Sequence, residues 1–414
     1  MRAEPRYWTA AEAAAALGVS RATLYAYTSR GQLRSEPVPG RTRERRYYRE
    51  DIERLQERRD TRRDPAKAAA RGLHWGSPVL DSSITLIQNG ALYYRGRDVL
   101  KLAETAALEQ VAALLWEEPS ESLTIFHAPA QRQLSRLQGI APDPLTRFQM
   151  ALPLAAASDP AAHDLRPAAV RQTGARIVRL FLAVIAGAES ALPAHNALAA
   201  AWTRPLAAPA LRAALVLCAD HELNASAFTA RCAASAGASP YDVVSAALAT
   251  LRGSRHGGAS ERVAALFAEA GSPERARATI LNRMRRGEDL PGFSHPLYPA
   301  GDPRAALLLR LAQAADNRAG WRFVRSLWKA ASAALQDQPN LDFGLVALAR
   351  MYRLPPGAPL LLFALARTTG WIAHALEQYA AGDLIRPRAR YTGPPPQEAL
   401  AYRGAARGSI IRSR

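Results

Sequence analysis

A chain of 414 residues, 49% of them apolar, is long enough for two or three domains, and its two cysteines, Cys218 and Cys232, exclude a disulfide framework. The net charge of +18 gathers at the ends: residues 1–72 carry 17 Lys and Arg against 10 Asp and Glu, and residues 386–414 carry 7 against 1. Both ends therefore suit a polyanion, a statement about partners and not about fold. Only three of the cations in the chain are lysines, Lys67, Lys101 and Lys329, so an Arg-rich solvated surface explains the charge equally well. The apolar stretches are interrupted by Arg, Asp or Pro, which argues against a membrane span. No segment near the start has the order of a secretory signal, so a cytoplasmic protein is expected.

Ala and Leu dominate the apolar residues while β-branched and aromatic runs are scarce. Such side chains lose little freedom in a helix, and an all-α class is expected. The first elements follow from local signals. Thr9 with Glu12 forms a capping-box pattern that opens a helix through Ala13, Ala16 and Leu17, and Gly18 suits its left-handed end. Ser20 caps a second helix through Leu24 and Tyr27, closed by Gly31. Two helices joined by a short glycine turn make a helix-turn-helix. The basic, turn-rich stretch that follows reads as a hairpin wing, ending in a helix capped by Asp51.

The segments AAALGVSRATLYAY and RRYYREDIERL resemble the MerR/excisionase type of winged helix-turn-helix over about sixty positions. That resemblance implies DNA as a partner. It would place Arg21, Thr23 and Tyr25 in the major groove and Arg41, Arg43, Arg45 and Arg46 on phosphates. A helical adaptor for protein contact is the alternative. Residues 58–72, with charges, Pro65 and small side chains, read as a linker.

Beyond Gly72 the pattern is mostly helical, with Pro and Gly breaks at helix-length spacing. Histidine stands beside Gly, Asn or Ser in three segments: Asp220-His221-Glu222-Leu223-Asn224-Ala225-Ser226, Arg255-His256-Gly257-Gly258, and Pro291-Gly292-Phe293-Ser294-His295. The third runs on through Tyr298 to Asp302-Pro303-Arg304. A fourth segment, Asn340-Leu341-Asp342-Phe343, puts a carboxylate beside an aromatic ring. Arg367 then opens RTTGWIAHALEQ, and Arg386 lies in IRPR.

An imidazole titrates near neutrality, so it can donate to an oxygen that gains negative charge and later recover the proton. A partly desolvated Asp342 would be a stronger base. Arginines near helix ends suit bidentate capture of carboxylates. The set describes carbon-acid chemistry on a small multiply charged molecule. Each piece also has a plain structural reading: a histidine near a helix end is usually a satisfied polar group, and Asp342 could simply cap a helix. The histidines lack close ligand spacing, so no metal is expected.

The number and order of these motifs resemble the citrate synthase family over three quarters of the chain, from GLHWGSPVLDSSITLI to IRPRARYTG. The resemblance implies a catalytic set of His256, His295 and Asp342. It implies binding of oxaloacetate by His221, Arg304, Arg367 and Arg386, the last supplied across a homodimer interface. Pro291, Gly292, Phe293 and Ser294 would cradle the adenine end of coenzyme A. The thioester is then a substrate, acetyl-CoA or propionyl-CoA, and no resident cofactor is implied. Ser294 departs from the glycine that the family often has there. The alternatives are 2-methylcitrate synthesis and a metabolite-sensing regulator with an enzyme-like domain.

The expected architecture is all-α. A winged helix-turn-helix over residues 1–57 and the linker 58–72 precede a large helical domain, residues 73–252 and 346–393. A small helical domain, residues 253–345, is inserted in it, and a basic tail, residues 394–414, follows.

Overall fold

The computed structural model describes residues 7–38, 41–49, 51–52, 55, 80–118, 125–126, 143–389 and 391–394. The linker 58–72 and the tail from residue 395 lie outside them. The chain divides into two compact units, Met1–Asp81 and Ser82–Arg414.

In the first unit, β1 (Tyr7–Thr9) leads into α1 (Ala10–Leu17) and α2 (Arg21–Ser29), followed by β2 (Ser35–Val38) and β3 (Arg41–Tyr48). The local signals act as expected. The Glu12 carboxylate accepts the Thr9 N–H at 2.8 Å while Thr9 Oγ1 accepts the Glu12 N–H at 3.3 Å, a complete capping box. Gly18 ends α1 in the left-handed conformation, and the Ser20 hydroxyl caps α2. The strands form an antiparallel sheet in the order β1-β3-β2, so the hairpin wing has a third strand from before the helices. Ala13, Leu17, Leu24, Leu33, Tyr47 and Ile52 make a small separate core. Asp51 differs from its expected role. Residue 49 is already helical, so Asp51 lies within the turn, where its buried carboxylate accepts the Arg34 N–H at 2.8 Å and both arms of the Arg34 guanidinium.

The second unit is helical but opens with a small sheet that the all-helical expectation did not contain. Strands β4 (Thr85–Gln88), β5 (Ala91–Tyr94) and β6 (Arg97–Asp98) pair antiparallel in sequence order. Asn89 and Gly90 turn the first hairpin with φ of 53° and 75°. Asn-Gly is a strong hairpin signal because that turn needs two left-handed residues in succession.

Fourteen helices follow among the described residues: α3 (Val99–Thr105), α4 (Leu108–Leu115), α5 (Pro144–Ser158), α6 (Pro167–Ala186), α7 (Ala194–Ala201), α8 (Ala208–Cys218), α9 (Ala225–Ser235), α10 (Pro240–Leu251), α11 (Ala259–Ala270), α12 (Ala276–Arg285), α13 (Pro303–Gln313), α14 (Arg318–Leu335), α15 (Leu341–Met351) and α16 (Ala358–Ala381). The axis of the unit is α16, buried on nearly every side from Ala358 to Ala375. A helix that is apolar all round must be surrounded, and α16 is packed by α6, α8, α9, α10 and α11. Helices α11 to α15 pack largely on one another, α12 against α14 and α13 against α15, and α15 runs on to Met351, past the bound of 345 expected for the small domain. No helix among the described residues is long and apolar enough to cross a membrane.

Candidate functional site

Three helix ends, two loops and the middle of α16 bring six of the predicted residues of the second unit together. His221 follows the end of α8, His256 stands in the turn before α11, and His295 lies in the loop before α13. Arg304 is in the first turn of α13, Asp342 in the first turn of α15, and Arg367 at the middle of α16. His221 Nε2 lies 2.9 Å from the Tyr298 hydroxyl, and its ring meets that of His295 edge-on at 5.1 Å. The Tyr298 ring also faces His295, at 5.0 Å, and carries the Arg304 guanidinium at 5.3 Å. His256 stands edge-on to Phe363 at 6.0 Å, and the same Phe363 ring lies under the Arg367 guanidinium at 4.6 Å.

Asp302 organises two of these elements. Its carboxylate caps α13, grips Arg304 through two parallel bonds of 2.9 and 2.8 Å, and accepts the Leu341 N–H at 3.1 Å. One buried anion thus joins the arginine of α13 to the first residue of α15, beside Asp342. Burial pushes the Asp302 pKa up, but Arg304 outweighs it and holds the carboxyl below its usual range.

Asn340, not Asp342, is the cap of α15: its Oδ1 accepts the Asp342 N–H at 3.1 Å. Its amide Nδ2 donates to Phe293 O at 3.3 Å and Ser294 O at 3.1 Å, and its backbone N–H to Gly292 O at 2.9 Å. The loop Pro291–Ser294 is therefore tied to the helix that carries Asp342. Gly292 has φ +91° there, and a Cβ on it would meet Val263 Cγ2 at 2.8 Å, so a side chain is excluded twice over. Ser294 has φ +65°, the left-handed region, which is the physical reason glycine suits that position. The serine keeps the loop shape at a conformational cost.

With Asn340 as the cap, the Asp342 carboxyl is left within the field of Arg304, Asp302 and Arg367. Desolvation raises its pKa to about 7, against the pull of Arg304. Burial also lowers His256 to about 4, helped by Arg367, and His295 to about 4, helped by Arg304. His221 is pushed well below 6.5 by burial first and Arg304 second. The three imidazoles are neutral at pH 7. They serve as neutral donors or acceptors there, a narrower role than the proton shuttling that the sequence suggested.

Several partners escaped the sequence reading. Ser226 Oγ contacts His256 Nε2 at 2.8 Å and accepts from Trp371 Nε1 at 3.1 Å. Tyr298, Asp302, Asp220 and His374 are likewise buried among the predicted residues. All lie inside the quoted motifs, so their positions were visible while their roles were not. Arg386 is exposed in the segment after α16, outside any helix or strand. No group of three or more potential metal ligands occurs among the described residues.

In the first unit, Arg21 and Tyr25 stand exposed one turn apart on α2. Thr23 turns its hydroxyl to Ser20 at 2.9 Å. Arg45 bonds Ser35 Oγ at 2.8 Å, and Arg46 pairs with Glu36 at 2.7 Å while covering the Tyr7 ring at 4.1 Å. Arg41 and Arg43 lie in β3.

Buried arginines beside three neutral imidazoles and one carboxyl of raised pKa define a helical enzyme class suited to an anionic substrate and a carbon acid. Comparison with known proteins makes this specific. The model of the citrate synthase C-terminal domain matches residues 72–388, and a helix-turn-helix domain model matches residues 8–60. The chain belongs to the citrate synthase family of transferases. Citrate synthase 2 of Bacillus subtilis is 31% identical over 367 residues, 80% of this chain and 97% of that protein. The 2-methylcitrate synthase of Mycobacterium tuberculosis is also 31% identical, over 74% of this chain and 86% of its own length. Among solved structures, the citrate synthase of Thermoplasma acidophilum in ternary complex with carboxymethyl coenzyme A and oxaloacetate aligns with TM-score 0.68 at 25% identity, covering 80% of this chain and 98% of that one. The citrate synthase of Thermotoga maritima aligns with TM-score 0.67 at 27% identity, over 78% and 96%.

Proposed function

We propose that the second unit condenses acetyl-CoA with oxaloacetate and water to give citrate and free coenzyme A. The observation that supports this most is a desolvated carboxyl of raised pKa, Asp342, within the field of the same buried arginines, Arg304 and Arg367, that act on the three imidazoles. In this reading Asp342 removes a proton from the thioester methyl group while neutral His256 hydrogen-bonds the thioester oxygen, stabilising the enol where charge develops. The enol carbon attacks the ketone carbon of oxaloacetate while neutral His295 hydrogen-bonds the ketone oxygen, which takes up the proton that left the methyl group. Hydrolysis of the resulting thioester releases coenzyme A. Arg304, Arg367 and His221 hold the carboxylates and carbonyl of oxaloacetate, with Arg386 supplied across a homodimer interface. Pro291, Gly292, Phe293 and Ser294 receive the adenine end of coenzyme A. In this reading a small domain of residues 253–345 carries the coenzyme loop and Asp342 and closes over the substrate, excluding water until hydrolysis.

The identity to a 2-methylcitrate synthase favours a second reading with propionyl-CoA. One methylene changes discrimination by only about 1–3 kcal/mol, so the shape of the acyl pocket decides. Free-thiol release on mixing the protein with oxaloacetate and either thioester tests both. Faster release with acetyl-CoA supports citrate synthesis, faster release with propionyl-CoA moves the assignment, and none with either refutes the proposal.

For the first unit we infer DNA binding, with exposed Arg21 and Tyr25 of α2 toward base edges and Arg43 and Arg45 of the wing toward phosphates. Arg46 is already paired with Glu36 and would contribute less. Titrating labelled duplexes at several salt concentrations should give affinity that falls steeply with salt. Retention that does not change with salt would leave the adaptor reading.

A further inference from the structure

The segment Ala219-Asp220-His221 is gripped from two sides by groups that the chemistry above does not use. From the small sheet, Thr85 of β4 donates its hydroxyl to Asp220 Oδ2 at 2.5 Å. The Tyr94 hydroxyl of β5 accepts the Asp220 N–H at 3.0 Å and lies 2.9 Å from the Asp220 carbonyl. From α16, His374 Nε2 stands 3.3 Å from Asp220 Oδ1, and both side chains have no exposure to solvent. Gly370 of the same helix lies so close that a Cβ on it would meet the Ala219 carbonyl at 2.4 Å and Asp220 Oδ1 at 2.5 Å.

Spacing along α16 gives this contact its meaning. Arg367, Gly370 and His374 recur at intervals of three and four, so they share one face of the helix. That face runs along the end of α8: Arg367 donates its Nε–H to Cys218 O at 2.8 Å, Gly370 meets Ala219, and His374 meets Asp220. The next residue is His221, and Glu222 after it has φ +52°. Backbone in that region is held only where its surroundings over-determine it. A buried carboxylate is also expensive without compensation. Burial pushes Asp220 up, yet His374 and then Arg367 hold it below its usual range, so the anion is retained where a neutral residue would pack more cheaply.

We propose that Asp220, with His374 and Thr85, is a positioning unit that sets the His221 ring and the Arg367 guanidinium for the 2-oxo dicarboxylate. It touches no substrate and acts through those two residues. The inference rests on the reading of this site as the oxaloacetate site. It predicts that damage to the unit appears in oxaloacetate affinity and leaves the thioester end alone.

The test measures oxaloacetate binding by calorimetry, alongside kcat and both KM values, in the full-length protein. Asp220→Asn keeps the shape and removes the charge. It should weaken oxaloacetate binding and raise its KM by roughly 10-fold or more, because small misplacements at a site carry effects of that order. KM for the thioester should stay within about twofold of the unaltered protein. His374→Leu should share this behaviour, while His374→Gln, which presents a polar amide toward Asp220, should restore most of the affinity. A merely structural role would lower stability and shift both KM values together, with Gln and Leu alike, and that result overturns the proposal. Unchanged oxaloacetate affinity in Asp220→Asn overturns it as well. Should Asp220→Asn fail to fold, the His374 pair decides. Failure of the underlying reading is separate: the unaltered protein would then bind no oxaloacetate.

Discussion

Asp342→Asn is expected to lower kcat by about 10²- to 10⁴-fold, the range that a positioned general base contributes. The substitution keeps size and leaves the Asn340 cap intact, since that cap uses the backbone N–H of residue 342. The fold should survive and oxaloacetate affinity should change little. For the unaltered protein, kcat/KM should rise with pH through about 7 as the carboxyl ionises. The imidazoles of His256 and His295, lowered to about 4, add no titration of their own near neutrality. A flat profile between pH 6 and 8 would remove Asp342 from the role of base.

Stability gives an independent check on the same residue. The folded pKa of Asp342 is raised above that of an unfolded aspartate, so the native state binds more protons across the window from about 4 to about 7. The stability linked to this group is fully present below that window and is lost as pH rises through it. Urea midpoints compared from pH 4 to pH 8 should therefore drift in favour of Asp342→Asn as the pH increases. Loss of activity together with gain of stability is what a desolvated functional carboxylate predicts. Midpoints that fall in parallel for both proteins would contradict the raised pKa.

Asp302→Ala should produce the largest loss of stability, about 3–5 kcal/mol, because it strands the buried guanidinium of Arg304. Side-chain exposures of 1% for Asp302 and 3% for Arg304 leave no water to compensate. The same change removes the cap of α13 and the acceptor for the Leu341 N–H, so the start of α15 loses its anchor and activity falls as well. Replacing both partners, as in Asp302→Leu with Arg304→Met, should recover much of the stability while abolishing oxaloacetate binding. The two effects then separate in a double-mutant comparison. A single-mutant cost under about 1 kcal/mol would mean that the pair is solvated in solution.

Local signals were legible wherever one or two residues decide the outcome. Thr9 with Glu12, Gly18 and Ser20 fix the ends of two short helices because their hydrogen bonds reach only three residues. Asn89-Gly90 was equally legible and was overlooked within a mostly helical pattern. Asp51 was misplaced because a capping residue and a buried ion-pair partner look alike in sequence; the difference is Arg34, 17 positions away. Ser294 shows the reverse: its departure from glycine was noticed in sequence, and the left-handed φ supplies the reason.

The sequence by itself determined the helical class, the two-unit order, the family, and the identities and chain order of the candidate residues, because spacing, charge and short motifs are one-dimensional properties. Tertiary structure alone decided protonation and mutual support. Only burial beside Arg304 and Arg367 makes three imidazoles neutral and leaves Asp342 titrating near 7. Only the packing of α16 along the end of α8 puts His374 against Asp220 across more than 150 residues of chain. Desolvation and long-range pairing depend on what surrounds a group in space, and residue order alone does not specify it.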